Sequence, residues 1–101
     1  RAGLGTISEL SALAKAAIII PLPHSAQEKN AALLEKHDAA CILIQETTSA
    51  AQLLEEIRTL MHNEARRIAF GKRIQMILKT DGASEMTHII EQIVQTKNTL
   101  V

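Results

Sequence analysis

The order of apolar patterns along the chain predicts an α/β fold, part of a doubly wound, Rossmann-like parallel sheet that gives way to several helices. Three observations carry that expectation. Helical spacing over residues 6–17 yields to consecutive β-branched residues, Ile18-Ile19-Ile20. The alternation repeats, with a helical stretch over 27–36 followed by the apolar run "AACILI". From Gln45 onward the periodicity is helical only. Helix–strand–helix–strand order implies parallel pairing through right-handed crossovers. Two strands are too few to be stable alone, so more strands are expected upstream. At 101 residues the chain is a small domain or a portion of a larger one.

Each element has a local reason. In the first helix Ile7, Leu10, Leu13, Ala14 and Ala17 share a face. "AIIIP" suits a short buried strand, closed by Pro21. The stretch "PLPHSA" reads as a loop, because each proline removes a donor and biases its predecessor away from helix. The second helix, Gln27 to Lys36, turns Leu33 and Leu34 inward, and "AACILI" forms the second strand. Thr48 or Ser49 can cap a third helix carrying Ala50, Leu53, Leu54, Ile57 and Met61. "NEARRIAFGKRIQMILK" is a fourth, weakened or kinked at Gly71. "DGAS" breaks it, and a last helix buries Met86, Ile89, Ile90, Ile93 and Val94 before a fraying tail, "TKNTLV".

Composition excludes several classes. Phe70 is the single aromatic, so no stacking platform for single-stranded nucleic acid exists. Basic and acidic residues balance at 11 each, which leaves no basic footprint for nucleic acid. Phosphate binding stays open, because backbone amides do that work without net charge. Cys41 has no partner for an internal disulfide and reads as a buried apolar thiol, in keeping with a reducing compartment. "AAIIIPLP" is too short to cross a bilayer. His24, His37, His62 and His88 are scattered, and no metal set is expected. Lys15 fits the dipole at the end of the first helix. Arg66, Arg67, Lys72 and Arg73 read as a solvated helix face, with a membrane-surface patch the less favoured alternative.

Two stretches carry candidate chemistry. In "RAGLGTISEL", Gly3 and Gly5 let the backbone approach a ligand or take positive φ, and a helix starting near Thr6 aims unpaired amides at the same spot. Gly3, Leu4, Gly5 and Thr6 would then cradle a diphosphate at the carboxyl ends of the strands. The alternative is a capping box, in which Thr6 and Glu9 satisfy the helix's own end. Glu9 is also placed to accept both hydroxyls of a ribose. In "PLPHSAQEKNA", Gln27 and Asn30 stand at i, i+3, so their carboxamides share a face. They suit sugar hydroxyls, or they are ordinary surface or capping residues. His24 either meets a ligand or ties down its loop.

Together, "RAGLGTISELSALAKAAIIIPLPH" and "QEKNAALLEKHDAACILIQ" resemble the C-terminal domain of MurG-type glycosyltransferases, with further likeness in "TTSAAQLLEEI" and "DGASEMTHIIEQI". The R-A-G-x-x-T-x-x-E turn and the P-x-P-H…Q-x-x-N-A loop stand in the right order and separation. The resemblance implies the C-terminal half of a GT-B donor-binding domain. Its whole enzyme would transfer N-acetylglucosamine from UDP-N-acetylglucosamine to a lipid-linked muramoyl-pentapeptide, with inversion and without a metal or cofactor. It implies donor-diphosphate contacts at Gly3, Leu4, Gly5 and Thr6, a ribose contact at Glu9, and sugar contacts at Gln27 and Asn30. His24 belongs to the family's loop without assigned chemistry. The acceptor site and general base belong to an N-terminal domain expected upstream with the remaining strands, so no catalytic residue is expected in this chain and the fragment alone is expected to be inactive. A cytoplasmic, peripheral position on the bacterial inner membrane goes with the family.

Three departures from the family pattern stand out. Ala26 and a short loop precede Gln27, which leaves one sugar contact open. Ala14-Lys15-Ala16 replaces Gly-Lys-Pro, and Asp38 stands at a turn usually held by Gly, where Asp tolerates left-handed φ. The alternatives are another GT-B enzyme (a glycolipid synthase or a split two-subunit transferase) and a non-catalytic α/β interaction module.

Overall fold

The computed structural model describes residues 1–77. The expected break at "DGAS", the last helix with Met86, Ile89, Ile90, Ile93 and Val94, and the tail lie outside the described residues. Those described form helix α1 (Leu4–Leu13), strand β1 (Ile18–Ile19), helix α2 (Gln27–Lys36), strand β2 (Cys41–Ile42), helix α3 (Ala50–Met61) and helix α4 (Glu64–Ile77). The class is α/β, as the alternating pattern predicts. β1 and β2 pair in parallel, Ile18 opposite Cys41 and Ile19 opposite Ile42. Their ladder extends through the Cys41 amide to the Ala17 carbonyl (3.1 Å) and the Leu43 amide to the Ile19 carbonyl (2.9 Å).

The core is aliphatic, as the near-absence of aromatics requires. Ile7 of α1, Ile19 of β1, Ala31 and Leu34 of α2, and Ile74 and Ile77 of α4 are buried together with Ala2, Ala39 and Ala40. Leu33 is only partly buried against them. α2 has the bounds its pattern predicts, and Asp38 just beyond it adopts φ 49°, the left-handed turn expected at that position. Arg73 of α4 locks this turn, donating to the Asp38 carboxylate at 2.8 Å and to its carbonyl at 3.2 Å.

The first helix departs from expectation at both ends. It begins at Leu4 rather than near Thr6, because extended Gly3 (φ −68°, ψ 150°) accepts the Ile7 amide at 3.1 Å. It stops at Leu13 instead of continuing to about Ala17. Ala14 takes a left-handed conformation (φ 51°, ψ 46°), and the Lys15 and Ala14 amides close back on Leu10 and Ser11 at 3.0 and 3.2 Å. This is the six-to-one and five-to-two closure of a Schellman end. Leu13 is consequently 66% exposed, and Lys15 lies past the last turn where it was expected to meet the dipole.

The cause is the crossing with α4. Gly71 is not a kink in α4, which runs unbroken past it. It is buried against the end of α1, where an added Cβ would overlap the Ala14 carbonyl, standing 2.8 Å from its carbon. The missing side chain admits the neighbouring backbone.

The third helix is capped by Ser49. Its hydroxyl accepts the Gln52 amide at 3.1 Å while the Gln52 side chain accepts the Ser49 amide at 2.8 Å, a reciprocal box. Its expected apolar stripe is largely outward: Leu54, Ile57 and Met61 are exposed, and Leu60 is the residue buried. Among the described residues α3 packs chiefly on α4.

Lys72 and Arg73 are exposed, as a solvated face requires, whereas Arg66 and Arg67 are half-buried. Arg66 lies over the Phe70 ring, 5.0 Å from its centroid, and 3.9 Å from Glu56. Arg67 donates to the Leu60 and Met61 carbonyls at the end of α3. Of the four basic residues, Lys72 alone has no such contact among the described residues. Cys41 is half-buried rather than enclosed by apolar groups, and its thiol approaches the Glu56 carboxylate at 3.5 Å. Burial first, then the Glu56 charge, raise its pKa, so it stays a thiol rather than a thiolate.

The α1–α4 crossing yields a paired prediction. Gly71→Ala should destabilise the protein by about 2 kcal/mol through overpacking, whereas Ala14→Gly should stabilise it by roughly 1 kcal/mol by relieving left-handed alanine. Thermal unfolding of the two variants measures both; a Gly71→Ala protein as stable as wild type would refute the close approach.

Candidate functional site

The site is built where three chain segments meet at the carboxyl ends of the strands. α1 and α2 both begin at that end, and the loop leaving β1 runs between them. One atom joins all three: Gln27 Oε1, at the first position of α2, accepts the Ala2 amide at 3.1 Å and the Leu22 amide at 3.0 Å. Asn30, one turn along the same face, donates its Nδ2 to the Ala2 carbonyl at 2.9 Å. Arg1 reaches Gln45, beyond β2, at 2.7 Å. The second candidate stretch is therefore in direct contact with the first.

At the start of α1 the amides of Leu4, Gly5 and Thr6 precede the first intrahelical bond, which the Ile7 amide makes. No side chain caps this end. Thr6 and Glu9 therefore do not form the capping box their spacing allows, because the helix begins at Leu4 and Thr6 already lies inside its first turn. Among the described residues these three amides have no hydrogen-bond partner. Such an end carries about half a positive charge.

The glycines here are not demanded by conformation. Neither Gly3 nor Gly5 has positive φ. Among the described residues, no atom apart from the adjoining backbone lies within 4 Å of where a Cβ on either would stand, so a side-chain methyl there has room. Thr6 and Glu9 are exposed beside it.

The carboxamides are neither free surface groups nor caps. Gln27 Oε1 is filled by its two backbone donors, while Gln27 Nε2 and Asn30 Oδ1 have no partner among the described residues. The beginning of α2 is satisfied by Ser25, whose hydroxyl accepts the Gln27 amide at 3.2 Å and donates to the Leu22 carbonyl at 2.7 Å. His24 adopts φ 56°, its amide donates to Glu28 at 2.5 Å, and its Nε2 stands 3.6 Å from Glu46. Its ring is 89% exposed. These contacts tie down the loop.

Two hollows flank the node. One, of about 460 Å³, is lined by Arg1, Ile18, Ile20, Gln45, Ser49 and Leu53, between the β1 segment and the start of α3. The other, of about 330 Å³, lies between the His24 loop, α2 and the residues after β2. Among the described residues no three His, Cys, Asp or Glu side chains are grouped closely enough to hold a metal ion, and no helix is long and apolar enough to cross a membrane.

The sequence profile of the glycosyltransferase family 28 C-terminal domain matches residues 1–93. The chain belongs to this family. Its resemblance to MurG-type transferases is borne out by curated relatives. A protein of Geobacter sulfurreducens named UDP-N-acetylglucosamine--N-acetylmuramyl-(pentapeptide) pyrophosphoryl-undecaprenol N-acetylglucosamine transferase is 34% identical over 100 residues, covering 96% of this chain and 27% of that protein. Proteins of the same name from Acetivibrio thermocellus and Bacillus subtilis are 33% and 31% identical, over 96% and 92% of this chain and 27% and 26% of their own lengths. The chain thus spans about a quarter of the length of the relatives it matches. No solved structure gives a significant match.

For a family 28 domain built this way, the open space at Gly5 has a measurable consequence. Gly5→Ala should leave the fold intact and stabilise α1 by roughly 0.5–1 kcal/mol, since alanine replaces a helical glycine without contact. A lowered Tm would mean that the space is occupied by the protein itself.

Proposed function

We propose that these residues are part of the nucleotide-sugar-binding domain of an inverting GT-B glycosyltransferase. Its whole form moves N-acetylglucosamine from UDP-N-acetylglucosamine to the lipid-linked muramoyl-pentapeptide of peptidoglycan synthesis. The observation that carries this reading is the set of Leu4, Gly5 and Thr6 amides without a hydrogen-bond partner among the described residues, in a chain of family 28. The printed names of the relatives support the donor and the acceptor. The edge of β1 that carries no strand among the described residues is where further strands of a doubly wound sheet would pair.

In this reading the acceptor hydroxyl attacks the anomeric carbon as the bond to the UDP oxygen breaks. Negative charge grows on the departing diphosphate. The helix-start amides stabilise it without reorganising, as oxyanion-hole donors do, and no metal is required. Each such donor contributes on the order of 3 kcal/mol to lowering the barrier. Glu9, exposed on the same face of α1 as Thr6, accepts the ribose hydroxyls. Gln27 Nε2 and Asn30 Oδ1 are the atoms left to meet the sugar. The general base and acceptor site come from outside these residues, so no catalytic residue is assigned here. The working position is the cytoplasmic face of the bacterial membrane, held peripherally.

Steady-state kinetics of the complete enzyme test this. Gly5→Ala places a methyl group in the diphosphate's path and should raise donor KM by tenfold or more while leaving the protein folded. Thr6→Ala should lower kcat more than donor affinity, and Glu9→Ala should mainly raise donor KM. Unchanged donor kinetics in Gly5→Ala would remove the diphosphate from this corner.

A further inference from the structure

The carboxamides of Gln27 and Asn30 are already engaged before any ligand arrives, and what they engage is the peptide immediately ahead of the diphosphate turn. We propose that they are positioning residues: they clamp Ala2 and thereby fix the direction in which the first-turn amides of α1 point. This role rests on the donor-binding reading above, and adds to it a function that does not involve the sugar.

Ala2 is held on three sides. Its side chain is fully buried in the aliphatic core. Its amide is taken by Gln27 Oε1 and its carbonyl by Asn30 Nδ2. The first bond fixes the peptide plane between Arg1 and Ala2, and the second fixes the plane between Ala2 and Gly3. Both donors and acceptors come from one face of α2, at i and i+3, so they act as one rigid fork.

The need for a clamp follows from Gly3. Among the described residues no atom beyond its chain neighbours lies within 4 Å of where a Cβ would stand, and glycine has the widest backbone freedom of any residue. A glycine placed just before a helix is a soft joint. Unclamped, it would let the start of α1 swing relative to the sheet, and amides that swing pay for their reorganisation when charge develops. Gln27 also holds Leu22, so the P-L-P-H loop and the turn move as one body.

The two jobs separate atom by atom. Gln27 Oε1 and Asn30 Nδ2 hold the backbone, while Gln27 Nε2 and Asn30 Oδ1 remain open to a ligand. A residue that served only the sugar would be indifferent to a nucleotide lacking one.

The test compares UDP with UDP-N-acetylglucosamine in the complete protein, using Gln27→Met and Asn30→Leu, which keep side-chain volume and remove the hydrogen bonds. Isothermal titration should show the Kd for UDP alone rising about tenfold in Asn30→Leu, which loses one backbone contact, and at least as much in Gln27→Met, which loses two. Amide hydrogen exchange without ligand should accelerate at Ala2 and Leu22 in Gln27→Met. Wild-type affinity for UDP with weakened binding of the UDP-sugar alone would overturn the clamp and leave the side chains as sugar contacts. Unchanged exchange at Ala2 would overturn it equally. If wild-type protein bound neither ligand, the donor-binding reading itself would fall, and this role with it, whatever the exchange rates.

Discussion

Gln27 Oε1 accepts two backbone amides that lie 20 residues apart in sequence, Ala2 and Leu22, and everything at the carboxyl end of the sheet is arranged around that atom. It fixes the start of α1 against the loop that leaves β1. A single side-chain oxygen with both lone pairs filled is costly to lose, most of all at Ala2, whose partly buried amide would be left without a partner. The constraint also decides what the helix start can do. With Ala2 tied and Gly3 extended, α1 begins at Leu4, and its first amides face outward with no side chain turned back on them.

That arrangement bears on whether the turn is a ligand site or only a well-made helix end. A helix of this kind ordinarily satisfies its own first turn, and the sequence offers Thr6 and Glu9 at the right spacing to do so. Elsewhere in the same molecule that solution is used: Ser49 and Gln52 close the start of α3 reciprocally, and Ser25 serves α2. α1 leaves its end open, and it does so where family 28 membership makes a nucleotide-sugar the expected ligand. The unpaired amides, the two glycines with room for a side-chain methyl and the exposed Glu9 are consistent with one another as parts of a diphosphate and ribose site.

Much of the fold was readable from local chemistry. Three consecutive isoleucines ahead of Pro21 mark β1 and the bounds of α2 follow from its apolar spacing, while the left-handed turn at Asp38 is implied by the family resemblance rather than by local pattern. What escaped was set by distant contacts. Ala14 ends α1 because Gly71, 57 residues on, lets its carbonyl approach, and no local pattern announces that. Helical glycines bias a reading toward a later start, which hid Leu4 and Gly5 inside the first turn. Arg66, Arg67 and Arg73 look like a solvated stripe on a helical wheel, yet they reach Phe70, the end of α3 and the Asp38 turn. The candidate site residues stand out by their motif, but the bond between Gln27 and Ala2 spans 25 residues and is visible only once the sheet brings both helix starts together.

The central claim is that the Leu4, Gly5 and Thr6 amides receive a pyrophosphate. Its most direct test is a crystal structure of the complete enzyme with UDP-N-acetylglucosamine bound. Phosphate oxygens within hydrogen-bonding distance of the Gly5 and Thr6 amides, with Glu9 on the ribose, are the predicted result. A nucleotide seated elsewhere, with this helix start still facing solvent, would contradict it.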